Sequence, residues 1–233
     1  MFYYDPTYIL MIPAIILTLW AQFRVKSAYS KYKNVPNRNR ITGHEAAQRI
    51  MRANGIDIPI EVIAGQLTDH FDPSARVLRL SSEVANGNSV ASVAIAAHEV
   101  GHAIQHAEGY VPIKVRGTIV PVANISSTLA WPLIVIGLIM GVGVGHPIGD
   151  TILNIGLILF LAVVAFHLVT LPVELNASRR ALAQIEGLGI VDYEEKKGAK
   201  RVLKAAAMTY VAALAVAVMQ LIRILIIAGS RRD

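Results

Sequence analysis

Five consecutive residues, His98-Glu99-Val100-Gly101-His102, have the types and spacing for metal chemistry if a helix carries them. Residues four apart on an α-helix sit one turn apart on nearly the same face, so both imidazoles reach one ion. Imidazole nitrogens suit zinc, and a carboxylate beside the first histidine leans over the activated water as general base. With 7 His in 233 residues, about 0.01 such pentapeptides are expected by chance, before any demand for a helix. The spacing therefore predicts zinc-assisted peptide hydrolysis rather than a core helix with two satisfied histidines. Cysteine is absent, so the metal must be held by histidines and carboxylates.

A third ligand must come from outside the pentapeptide, and the sequence offers His106, Glu108, His70, His167 and Glu174. His106 continues the four-residue series, but an unbroken helix carries it about 12 Å along the axis from His98. Ligand nitrogens must all lie about 2.0–2.1 Å from one ion, so His106 is expected at the surface or behind a ligand. Glu174 is the better candidate. It lies in LPVELNASRRAL, where an apolar stretch ends and Pro172 suits the first turn of a helix.

The elements that must position these groups have their own signals. Thr42-Gly43-His44-Glu45 reads as a capping box opening a helix with Ala46, Ile50 and Met51 on one face and Gly55 as its stop. Stretches 61–64, 67–70 and 76–80 have strand character, with Asp72-Pro73-Ser74 as a turn. Ser89 is a natural N-cap for the helix carrying His98. Residues 34–37, Asn-Val-Pro-Asn, read as a linker.

The rest of the chain is apolar: 54% hydrophobic, 16% charged and mean hydropathy +0.50. Four stretches, 8–23, 118–144, 151–173 and 205–227, are apolar enough to cross a bilayer. The first lacks a cleavage site and is followed by Arg24, Lys26, Lys31 and Lys33, which predicts an uncleaved anchor with residue 24 onward in the cytoplasm. The segment 143–150 holds no Lys or Arg and should turn outside, whereas 179–204 is basic and should be cytoplasmic. The fourth span then ends outside with Arg231 and Arg232, and Arg223 within it anchors by snorkelling or pairing.

Three segments, LTDHFDPSARVLRLS, NSVASVAIAAHEVGHAIQHAEGY and LPVELNASRRAL, resemble the YugP-type neutral zinc metallopeptidases of bacterial membranes. That group is similar in outline to the HtpX-type and CaaX-prenyl membrane proteases, gluzincins in which a later helix supplies a Glu ligand. The resemblance implies zinc held by His98, His102 and Glu174, with Glu99 as catalytic base. Where those relatives carry Asp four residues beyond the ligand Glu, this chain has Ser178, and Ser178 or Asn176 is left to orient a histidine. In gluzincins an extended substrate pairs with an edge strand beside the metal helix, which points to Val77, Leu78, Arg79 and Leu80.

The expected fold is a mainly α membrane protein of about four transmembrane helices plus a small α+β zincin-like cytoplasmic unit with a short sheet. Its regions would be an anchor at 1–23, the zincin-like region at 24–117, a transmembrane hairpin at 118–173, a cytoplasmic helix with the third ligand at 174–204, and a last span at 205–233. The expected function is a Zn²⁺-dependent endopeptidase of the cytoplasmic membrane. Its partners would be peptide or membrane-protein substrates and membrane lipids, with no nucleic acid. His70, His167, Arg179 and Arg180 are all available to stabilise an oxyanion, and the sequence does not choose among them. Three rivals stand beside this reading: a site-2-type intramembrane protease in which 90–107 spans, a zinc-binding scaffold or chaperone, and a transporter.

Overall fold

A computed structural model describes residues 6–143 and 147–229. It is mainly helical, with one three-stranded sheet. Helix α1 (Ile12–Tyr32) follows a 3-10 turn, and α2 (Gly43–Ala53) leads to β1 (Ile60–Ile63), β2 (His70–Asp72) and β3 (Val77–Ser81). Then come α3 (Ser82–Asn86), α4 (Val90–Ala107), α5 (Val111–Leu138), α6 (Ile148–Gly187) and α7 (Tyr193–Gly229). By mutual contact the chain divides into two units, one of residues 1–20, 114–171 and 210–233, the other of 21–113 and 172–209.

In the second unit the cap signals act as their chemistry dictates. Thr42 Oγ1 accepts from the Glu45 amide at 3.2 Å while Glu45 Oε2 accepts from the Thr42 amide at 2.9 Å, a closed capping box. Gly55 follows α2 with φ of 66°, a left-handed conformation that glycine takes without steric cost. Ser89 Oγ accepts from the Ser92 amide at 3.0 Å and opens α4. The buried faces of α2, β3, α3 and α4 meet in one core that includes Ile50, Leu78, Leu80, Val84, Val93 and Val100. Removing those side chains from water is the main force assembling the unit.

Strand order corrects two expectations. The sheet runs β1-β3-β2, with β3 parallel to β1 and antiparallel to β2. Val77, Leu78, Arg79 and Leu80 therefore lie on the central strand, whose two edges are already paired, and present no free edge to a substrate. The second strand in sequence sits at 70–72 rather than 67–70 and runs up to the expected turn, where Asp72 accepts from the Ser74 and Ala75 amides at 2.9 and 3.1 Å. Residues 34–37 are also more than a linker. Asn37 is buried, accepts from the Ile41 amide and donates to the Ile41 and Asn88 carbonyls, fastening α1's exit to α4's entrance.

The first unit packs α5, α6 and α7 through Ala130, Ile134, Leu153, Phe160, Val164, Ala217 and Ile224. A Cβ on Gly137 would lie 2.5 Å from the Leu153 nitrogen, and one on Gly156 2.8 Å from the Ile134 nitrogen, so glycine sets how closely α5 and α6 approach. Among the described residues, four helical stretches, Pro6–Tyr32, Val111–Gly141, Ile148–Gly187 and Tyr193–Gly229, are long and apolar enough to cross a membrane. Arg223 pairs rather than standing free: Nε donates to Thr7 Oγ1 at 3.0 Å and the guanidinium lies 3.7 Å from the Tyr8 ring centre. Helix α6 is continuous for 40 residues with Pro172 inside it, so Pro172 does not open a new helix; it only removes one backbone donor. Arg231 and Arg232, and the centre of the 143–150 turn, lie outside the described residues.

Candidate metal centre

Helix α4 presents His98 and His102 on one face, with ring centres 4.8 Å apart and planes at 81°. Glu174, on the stretch of α6 within the same unit, points between them. Its Oε2 lies 3.2 Å from His98 Nε2 and 3.5 Å from His102 Nε2. Four donors at tetrahedral angles and 2.0–2.2 Å from one zinc ion stand about 3.3–3.6 Å apart. The three ligand atoms all lie within 4.8 Å of one another, and the Glu174 side chain is only 3% exposed. A buried carboxylate converging on two imidazoles in this way suits a divalent cation.

Gly101 makes that convergence possible. A Cβ there would stand 2.7 Å from the Ala177 carbonyl oxygen, so only glycine lets α4 lie against α6 at this depth. Ala177 is itself fully buried, and Glu174 and Ser178 flank it on the same helix.

The nitrogens that face away from the ligand set are also held. Ser178 Oγ is 3.2 Å from His98 Nδ1, so of Ser178 and Asn176 it is the serine that touches a histidine of the set. His102 Nδ1 lies 3.0 Å from Oε1 of Gln105, a fully buried residue whose importance the sequence reading missed. Gln105 Nε2 donates to the Val173 carbonyl at 2.8 Å and to Asn176 Oδ1 at 3.0 Å. Those two acceptors fix the amide orientation, so Oε1 faces the histidine and His102 must donate from Nδ1. The proton then sits on Nδ1, and the Nε2 lone pair is free for a metal. Asn176 acts one step further out: its Oδ1 also accepts from Arg180 Nε at 2.7 Å, and Arg180 pairs with Glu108 at 2.7 Å.

Glu99 stands next to this donor set without being part of it. Burial pushes its carboxyl up from the ordinary glutamate range. It makes no hydrogen bond or ion pair among the described residues, leaving both oxygens available. The remaining candidates go elsewhere. His106 packs edge-on against Phe71, with ring centres 5.3 Å apart. His70 lies at the exposed end of the sheet, 2.8 Å from the Thr68 carbonyl oxygen. Glu108 and Arg180 neutralise each other, and His167 belongs to the other unit.

Residues 7–229 match the model of a family described as "Putative neutral zinc metallopeptidase". The chain is also 44% identical over 225 residues to the "Putative membrane protease YugP" of Bacillus subtilis (strain 168), covering 96% of this chain and 97% of that protein. No solved structure matches the chain. The donor set of two histidines and one glutamate fits the zinc that this family's description specifies. With residues 7–229 matched and both lengths covered almost in full, the chain belongs to the neutral zinc metallopeptidase family of membrane proteases.

Proposed function

We propose that the protein is a zinc-dependent endopeptidase that cleaves peptide bonds at the cytoplasmic membrane surface, with Glu99 as general base. The observation that carries this reading is an unpartnered Glu99 carboxylate beside the convergent His98, His102 and Glu174. A structural zinc site closes its coordination with protein ligands, whereas three ligands leave a position open for chemistry.

His98, His102 and Glu174 would hold the ion. Zinc bound there supplies Lewis acidity, polarising a peptide carbonyl and bringing the pKa of water toward 7. Glu99 takes the proton from the attacking water and returns it to the departing amine. Ser178 and Gln105 hold the imidazoles in the tautomer and rotamer that ligation needs. The cytoplasmic assignment rests on basic residues at 24–40 and 179–204 flanking the spans. In the intramembrane alternative α4 would contact lipid, but α2, α3, β2 and β3 pack around it, which supports an interfacial site instead.

The test is Glu99→Gln. That variant should bind zinc like the wild type and lose hydrolysis of a casein or quenched-peptide panel by several orders of magnitude. Wild-type zinc content with no cleavage in either protein would favour a non-catalytic scaffold.

A further inference from the structure

Away from the metal ligands, the end of α6 and the start of α7 enclose a groove of about 520 Å³ that the proposed chemistry does not use. The helices run antiparallel here: they join through residues 188–192, and Lys196 pairs with Glu186 across the end nearest that connection. From there the groove runs toward the apolar stretches of both helices, past Leu182 and Leu203 to Leu175 and Ala207. Arg179, Lys200 and Lys204 line it as well. None of these three cations has an ion-pair or hydrogen-bond partner among the described residues, whereas Lys196 is neutralised by Glu186.

Unpaired cations around an apolar floor are an unfavourable arrangement in isolation. Lys200 and Lys204 are four apart on one helix face, where like charges repel, and Leu175 leaves 43% of its surface exposed. One kind of molecule answers both features: an anionic phosphate covalently joined to hydrocarbon. Both helices are among the four able to cross a bilayer, so such molecules are available at this depth.

We infer that this groove binds an anionic phospholipid, its phosphate among Arg179, Lys200 and Lys204 and an acyl chain along Leu175, Leu203 and Ala207. An acidic peptide would satisfy the cations but not the leucines. Ser178, which holds His98 Nδ1, is also in the groove wall, so a bound headgroup sits one residue away from the metal ligand shell. The inference is independent of the proteolytic reading and is tested by binding alone.

The experiment uses the full chain in phosphatidylcholine nanodiscs doped with phosphatidylglycerol, with retained lipid counted by native mass spectrometry. The wild type should retain one phosphatidylglycerol in preference to phosphatidylcholine. Arg179→Gln/Lys200→Gln/Lys204→Gln should lose that preference by at least tenfold, while the charge-matched control Arg49→Gln/Arg52→Gln/Lys114→Gln should keep it. Leu175→Gln, at an exposed position that leaves the core intact, should weaken retention several-fold. Equal retention in the triple variant and wild type overturns the assignment. Displacement of the lipid by millimolar inorganic phosphate alone would mean a simple anion site. Displacement by an acidic peptide, without dependence on Leu175, would mean a peptide subsite; either result also overturns it.

Discussion

Gln105 Oε1 lies 3.0 Å from Nδ1 of His102, and the same side chain's nitrogen reaches back to α6 at Val173 and Asn176. One buried amide thus sets the tautomer of a histidine that could hold a metal and ties together the two helices that carry His98, His102 and Glu174. Gln105→Leu should cut zinc affinity by about 10–100-fold, the usual effect of losing a partner behind a ligand. Competition with a zinc chelator reads this out. Gln105→Glu keeps an acceptor for His102 and should retain more affinity than the leucine variant.

Gly101→Ala should damage the site by geometry alone. The added methyl meets the Ala177 carbonyl oxygen at 2.7 Å, and backbone cannot swing aside. A destabilisation of about 1–3 kcal/mol is expected for such overpacking. The melting temperature and zinc content should fall together, and Ala177→Gly should not rescue them because the clash is with main chain.

Elemental analysis of the purified wild type should show near-stoichiometric zinc, and His98→Ala, His102→Ala and Glu174→Ala should each lose most of it. His106→Ala should keep it, since that ring packs on Phe71. Full zinc in Glu174→Ala with loss in His106→Ala would reverse the ligand assignment.

Asp72 gives a pH test outside the metal centre. Hydrogen bonds from the Ala75 amide and from Arg79 hold its carboxyl down at about 2. A folded-state pKa below the unfolded value of about 3.9 stabilises the fold above that value, and the contribution is lost as pH falls toward 2. Asp72→Asn should remove this component. The difference in melting temperature between wild type and variant should therefore shrink between about pH 4 and pH 2.

Topology is testable with single cysteines, since the chain has none of its own. Cysteine at Asn34, Asn86 or Lys197 should be shielded from an impermeant thiol reagent in intact cells. Cysteine at Gly145 or Ser230, outside the described residues, should react. Asn37, attractive from sequence as a linker position, is unsuitable because it is 1% exposed and would resist the reagent on either side. Labelling at Asn86 but not Lys197 would place a crossing between them and revive a membrane-spanning α4.

What the sequence alone determined was local. Two imidazoles four residues apart, a Thr-x-x-Glu cap, Ser89 before α4 and runs of apolar residues each act through neighbours within a turn or two, and all appear in the structure. Glu174 alone would read as a solvated interfacial carboxylate, and it was reachable because it stands where an apolar stretch ends, just upstream of Asn176 and Ser178. Gln105 had a signal too: it lies three residues beyond His102, on the same face of the helix. What only the tertiary structure decided was pairing at a distance. Three short strands do not encode their own order, so placing β3 in the centre depends on which faces α2 and α4 bury. Pro172 has the same residues around it whether a helix starts or continues there, and only the folded chain shows α6 running through it. The close contact of Gly101 with Ala177, and the reach of Gln105 to Val173, join residues about 70 positions apart, where hydrogen bonding and excluded volume in the folded chain choose the partner.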